Sequence, residues 1–323
     1  VTLSFPVNTT VYYTLDGTDP RAWGGATGDE IAPGARQYTG PITINSNVRL
    51  VARARNPNHT ARTGPDNPPL RSIWSGPVAE TFVTDPIPLR LTEIMYHPES
   101  DGPGTGFEDE DFEFLELHNT GAVPLDMTGF QLEGTIDFTV AETNAVRTVP
   151  AGGRWLLVGN PDAFAARYPG VGPVAGVFRG RMNNDSGRLA LFGRLREPVF
   201  DFRYAQEWES SADGTGNSLV LREEAFSPLP PAEASSWRSS SLWGGSPGII
   251  DRPPVRLQAT LSDGVLRIRF TGEPGRAYAL QQRENLLTGS WQTQDTQVAK
   301  ADGSVEFAVI PVAGARLFRA LLP

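Results

Sequence analysis

Apolar residues along this chain come in short stretches that are β-branched or aromatic and are closed off by Gly, Pro, Asn or Asp. That is the pattern of strands and turns; the 3.6-residue period of helices is nearly missing. Residues 10–15 (TVYYTL) run into Asp16-Gly17-Thr18-Asp19-Pro20, where Asp-Gly favours a tight turn and Pro20 stops a ladder. Strands are expected over 40–44 and 48–54. In the second, Val48, Leu50, Ala52 and Ala54 alternate with Arg49, Val51, Arg53 and Arg55, one apolar face and one largely charged face. Trp74-Ser75 and residues 79–83 close this part. Further strands are expected over 89–96, 112–121, 129–132, 154–158, 189–192 and 199–204, then over 265–270, 277–281 and 305–309, with Trp291 and Phe318 as core anchors. One short helix is expected over 162–168, capped by Asn160 or Asp162 and ended by Pro169.

Two proline-rich joints, Asp85-Pro86-Ile87-Pro88 and Asp251-Arg252-Pro253-Pro254, divide the 323 residues. The expected fold is all-β, with three consecutive β-sandwich domains over 1–86, 87–252 and 253–323. The 34 Gly and 28 Pro make up about a fifth of the chain, which marks it as turn-dense yet below the share typical of disorder. There is no cysteine, so thiol nucleophiles, redox pairs and zinc ribbons are excluded together. No run of apolar residues is long enough to span a membrane as a helix. The opening Val-Thr-Leu-Ser-Phe-Pro has no signal-peptide character, and its abruptness suggests a piece of something longer. The net charge of −9 is uneven: the three parts carry 0, −11 and +2. An acidic middle part repels phosphate backbones, so nucleic acid is not expected as a partner.

Candidate chemistry gathers in that middle part. The chain has three histidines, His59, His97 and His118, and the last two end the strands that flank an acidic loop. Asp101, Glu108, Asp109, Glu110 and Asp111 in the loop, with Glu116, His97 and His118, are candidate ligands for a metal ion, although their spacing is not that of an EF-hand. A His97–His118 pair requires the two strands to be neighbours. Alternation puts Glu116 on the side of Phe112 and Phe114, and Glu113 beside Leu115 and Leu117. One of these carboxylates is therefore expected to be partly buried, paired with an Arg or capping backbone N–H groups, and Glu93 invites the same reading. Gly244-Gly245-Ser246-Pro247-Gly248 fits the G-x-S-x-G nucleophile elbow letter for letter. It fails chemically, because Pro247 has no N–H for an oxyanion hole and no histidine follows. A structural turn is expected there, as at Gly102–Gly106 and Asp213-Gly214-Thr215-Gly216. Trp23, Trp208, Trp237 and Trp243 are candidates for stacking on sugars wherever they prove exposed.

Three resemblances add to this reading. Y-Y-T-L-D-G-T-D-P, Y-T-G-P-I-T-I, V-R-L-V-A-R-A and T-F-V resemble the fibronectin-type-III-like module at the C-terminal end of chitobiase and β-hexosaminidase chains, over residues 1 to about 85. L-T-E-I-M-Y, E-F-L-E-L-H-N-T-G, P-L-D-M-T-G-F, V-P-A-G-G-R-W-L-L-V, N-N-D-S-G-R-L-A-L-F, A-D-G-T-G-N-S-L and G-G-S-P-G resemble, in order and spacing, the bacterial lamin-tail domain, an immunoglobulin-like sandwich. The last 70 or so residues resemble a small C-terminal β-sandwich module of exported bacterial proteins. Such modules imply a secreted or cell-surface protein with no catalytic residues or cofactor of its own, spacing, anchoring or presenting a catalytic region upstream. A protein or cell-surface glycan is the implied partner. The competing reading is a metal-dependent hydrolytic site at the acidic loop, or glycan binding by the first module; Ca²⁺ is the ion such a loop would take first.

Overall fold

The computed structural model describes residues 1–22, 29–58, 72–100, 106–222, 230–251, 257–272, 275–284, 290–310 and 316–321, and nearly all of their regular structure is strand. Trp23, His59 and Asp101, singled out above, and the glycine string 102–105 lie outside these residues. The chain divides into two units, Val1–Asp251 and Arg252–Pro323.

The first unit opens with a four-stranded antiparallel sheet in the order Arg36–Gln37, Thr10–Thr14, Val48–Arg55, Val78–Phe82. Val11, Tyr13, Leu50 and Ala52 share one face and pack against Ile42. The strand expected over 40–44 is not formed. Pro41 has no N–H to give a ladder, and Ile42 instead exchanges two bonds with Val1, its N–H to the Val1 carbonyl at 2.8 Å and its carbonyl to the terminal ammonium at 2.7 Å. The charged face of Val48–Arg55 also departs from expectation. Arg53 is buried, because Asp19 takes its guanidinium at 2.8 and 2.6 Å and the Ser75 carbonyl takes a third bond at 2.5 Å. A bidentate carboxylate is what allows a guanidinium to leave water.

Next in the chain comes a two-layer sandwich. One sheet has the order Val174–Val177, Arg154–Val158, Phe114–Asn119, Leu89–Met95, Leu219–Leu221, Trp237–Ser239; the other has Arg179–Gly180, Ile136–Thr139, Gln131–Gly134, Ser186–Phe192, Pro198–Ala205. Between them lies one apolar core built on Leu91, Leu115, Leu117, Leu157, Leu189, Leu191, Phe200, Phe202 and the fully buried Trp155 and Trp237. The outer side of the first sheet is covered in its turn: Met95, Phe114, Leu156, Val158 and Phe164 form a second, smaller cluster. Phe164 comes from the helix Pro161–Arg167, whose first N–H groups are taken by the Asn160 side chain, at 3.0 Å from Asp162 and 3.3 Å from Ala163. Asn160 rather than Asp162 is thus the cap.

The joint at Asp85-Pro86 is braced. Asn47 accepts from the N–H groups of Thr84 and Asp85 at 2.9 and 3.0 Å and donates to the Asp85 carbonyl at 2.8 Å, while the Thr81 hydroxyl donates to the Leu195 carbonyl at 2.7 Å.

The second unit holds two three-stranded antiparallel sheets, Gln258–Ser262, Val265–Thr271, Ser304–Val309 and Gln292–Val298, Ala277–Arg283, Leu317–Leu321. Ile268, Phe270, Tyr278, Leu280, Val305 and Phe307 make its core, with Phe318 packed on it. Trp291 is not in that core. Its ring lies under the guanidinium groups of Arg283 and Arg319, 4.9 and 4.3 Å from the ring centre. No helix among the described residues is long and apolar enough to cross a membrane.

Candidate functional site

The strands Leu89–Met95 and Phe114–Asn119 are hydrogen-bonded neighbours, so the condition for a His97–His118 pair is met; their direction defeats it. They run antiparallel with Met95 opposite Phe114 and Arg90 opposite His118. At roughly 3.3 Å per residue this sets the two imidazoles about 20 Å apart, at opposite ends of the hairpin. His97 has a different partner: its Nδ1 is 2.6 Å from Asp213 Oδ1, and the Gly214 N–H donates to the His97 carbonyl at 3.1 Å. His118 lies between Arg90 and Arg154, its cross-strand neighbours.

The loop carboxylates are likewise spent separately. Residues 109–112 form one 3-10 turn, in which the Asp111 side chain accepts the Glu108 N–H at 3.0 Å and the Asn160 amide at 3.1 Å. Glu110 faces Arg181 at 2.8 Å. Among the described residues, no three His, Asp or Glu side chains converge as the ligands of an ion would.

Three glutamates go inward. Glu113 is buried and accepts the Met182 N–H at 2.9 and 3.1 Å; burial pushes its carboxyl up to about 8. Glu116 is wholly buried and paired with Arg154, and it also accepts from the Thr92 hydroxyl at 2.8 Å and the Gly248 N–H at 2.5 Å. Its carboxyl is raised by burial, against the pull of Arg154. Glu93, 1% exposed, sits directly across the ladder from Glu116. It accepts from the Ser218 hydroxyl at 2.5 Å, the Ser246 N–H at 2.7 Å and the Ser246 hydroxyl at 3.0 Å, and burial first, then the Glu116 charge, push it up to about 8.

Glu93 and Glu116 together hold the glycine-rich turn at Gly244–Gly248. Ser246 is therefore no exposed nucleophile; it is buried against a carboxylate. Gly245, at φ +82°, passes so close that a Cβ there would lie 2.3 Å from Glu93 Oε1. Sequence reasoning expected an Arg beside one of these carboxylates but did not single out Arg154 or Ser218, which stand 38 residues from Glu116 and 125 from Glu93 along the chain.

Trp243 follows a different course. It is 56% exposed, with its indole N–H donating to Glu99 at 2.8 Å, Arg167 5.4 Å from its ring centre and Gly216 against its edge. Trp237 is buried, and Trp208 is half-buried with one face stacked on Phe202 at 6.1 Å. A cleft of about 400 Å³ opens beside the first joint, lined by Pro86, Ile87, Pro88, Leu89, Phe200 and Pro231 among others, with Arg90 the one ionisable residue in its described lining.

A family model described as "Fn3 associated" matches residues 1–63, about a fifth of the chain. None of the curated proteins matches. Among solved structures, a crystal structure of a DUF4876 family protein from Bacteroides thetaiotaomicron is similar at 10% identity with a TM-score of 0.30, over 76% of this chain and 91% of that one.

Proposed function

We propose that this chain is a set of non-catalytic modules of a larger exported bacterial protein, serving to space, anchor or present a catalytic region elsewhere in the parent. On this reading residues 1–86 are the fibronectin-III-like module, 87–252 a lamin-tail-like immunoglobulin sandwich and 253–323 a small C-terminal sandwich. The observation that carries it is the use made of the reactive side chains in the sandwich. His97, Glu93, Glu113 and Glu116 each close a turn, a strand end or a buried pair, and His97 and His118 stand at opposite ends of a hairpin. The Fn3-associated match on residues 1–63 supports the accessory role of the first module. The experiment is an assay of the purified chain against phosphodiester, glycoside and peptide substrates, with Ca²⁺, Zn²⁺ and Mn²⁺ supplied in turn. Turnover that depends on the metal and is lost in His118→Ala would sink the proposal.

Glycan binding is the second reading, and one observation favours it: Trp243 is exposed yet held in place by Glu99 and Gly216. An aromatic face already fixed in position gives up little freedom when it stacks on a ligand. Titration with soluble polysaccharides, followed by tryptophan fluorescence, should give a saturable change that Trp243→Ala abolishes; a flat titration removes this reading.

A further inference from the structure

The Leu89–Met95 and Phe114–Asn119 strands set two buried carboxylates face to face, and one short turn covers both. We propose that the Gly244–Gly248 turn is a proton-operated latch: Glu93 and Glu116 hold it against the sheet while one of them is neutral, and release it when both are ionised.

A carboxylate only accepts hydrogen bonds, and Glu93 has three donors around it. The Ser246 N–H must donate, so Oε1 is an acceptor. The Ser246 hydroxyl can also accept, which makes Oε2 the place for a proton: the neutral acid donates from Oε2 to Ser246 Oγ and keeps both bonds at Oε1. The pair then carries one negative charge, on Glu116, matched by Arg154. Like charges directly opposite on neighbouring strands repel, and more strongly when buried. Burial first, and then the Glu116 charge, push the Glu93 carboxyl up to about 8.

The remaining groups around the pair show what yields when the proton leaves. Thr92 and Arg154 come from the sheet, Ser218 stands just before its Leu219–Leu221 strand, and Tyr168, at the helix end, donates from its hydroxyl to the Gly244 carbonyl at 2.6 Å. Beyond the turn, buried Asp251 holds Arg238 at 2.6 Å and accepts the Ser241 N–H at 2.8 Å. The Tyr168 bond to Gly244 and the Asp251 bonds beyond the turn do not involve Glu93, whereas the Ser218 hydroxyl donates to it. Within the turn, the Gly244 N–H donates to the Gly216 carbonyl at 2.6 Å and the Gly245 N–H to the Leu242 carbonyl at 3.1 Å, which anchors its start; the N–H bonds of its later part, from Ser246 and Gly248, are the ones that end on the two carboxylates. Water reaches an ionised pair most easily by lifting the turn, because Gly245 is the backbone lying directly on Glu93. The latch goes beyond the module reading and stands whether or not that reading does.

Amide hydrogen exchange on the full chain between pH 6 and 9.5, corrected for the intrinsic rate, tests the latch at the Ser246 and Gly248 N–H groups, with the Leu115 N–H as reference. Protection is expected to hold below pH 8 and then fall about ten-fold per pH unit. Glu93→Gln keeps a neutral side chain with the same bonds, and its profile is expected to stay flat. Ser218→Ala removes a donor that favours the ionised form, so the wild-type fall is expected to move to higher pH. A purely structural defect would lower protection at every pH without moving the midpoint. A flat wild-type profile, the same fall in Glu93→Gln, or an unmoved midpoint in Ser218→Ala each overturns the proposal, and the last decides it should Glu93→Gln fail to fold.

Discussion

Asp16 and Glu93 do the same job in different surroundings. Asp16 accepts the Thr18 N–H at 3.0 Å and the Thr18 hydroxyl at 2.6 Å, and so closes the D-G-T turn of the first module. Glu93 accepts the N–H and hydroxyl of Ser246 and so closes the glycine-rich turn of the sandwich. Thr18 holds the exposed Asp16 carboxyl below its ordinary value, while burial drives Glu93 up to about 8. Similar donors thus favour the anion at both sites, but at Glu93 burial outweighs them and keeps the acid neutral. Hydrogen bonds pull a carboxyl toward the ionised form, and loss of contact with water pulls it back; the depth of burial decides which wins.

Substitutions can break this contrast at either end. The largest effect is expected for Glu116→Ala, which leaves the Arg154 guanidinium buried beside a second acid: about 3–5 kcal/mol, read as a lower urea midpoint by the buried Trp155 and Trp237. Gly245→Ala comes next, since a methyl group would overlap Glu93 Oε1 at a backbone angle that disfavours side chains; roughly 2–3 kcal/mol is expected by the same measurement. The pH dependence is sharper still as a test of sign. Glu93 and Glu113 both bind a proton more tightly in the folded chain than in the unfolded one. Their contribution is therefore fully present below the unfolded carboxyl value near 4.5 and is lost as pH rises through about 8. The melting temperature should fall from pH 5.5 to pH 8.5, and the slope should be shallower in Glu93→Gln. Asp16→Ala should have the smallest effect, about 1 kcal/mol or less. Its dependence has the opposite sign: the stabilisation is present above the unfolded carboxyl value and is lost as pH falls through the lowered one, which a melting series from pH 5 to pH 2.5 checks.

Much of the architecture could be read along the chain. The strand Arg154–Val158 forms over the residues expected for it, and the helix Pro161–Arg167 lies one residue earlier than expected, closed by its Asn160 cap and followed by Pro169. Alternation also gave the side of the strand on which Glu116 lies, with Phe114. Pairing register was not legible, and it decided the candidate site. Two histidines at the mouths of one acidic loop look adjacent until the antiparallel ladder carries His118 to the far end. Ser218 stands 125 residues from Glu93, and nothing in its A-D-G-T-G-N-S-L string points to that partner, while Arg53 looked solvent-facing until Asp19 folded over it. In each case a long-range polar partner overrode a local pattern, and burial of a charge is always settled by such a partner.

The brace at Asn47 bears on how force or motion would travel through the first unit. A proline-rich connector between β modules ordinarily swivels. Here the Asn47 amide fixes the start of the connector to the first sheet and the Thr81 hydroxyl grips the Leu195 carbonyl of the sandwich, so a pull applied at the amino end reaches the sandwich as torque on a stiff strut instead of being absorbed by a slack tether.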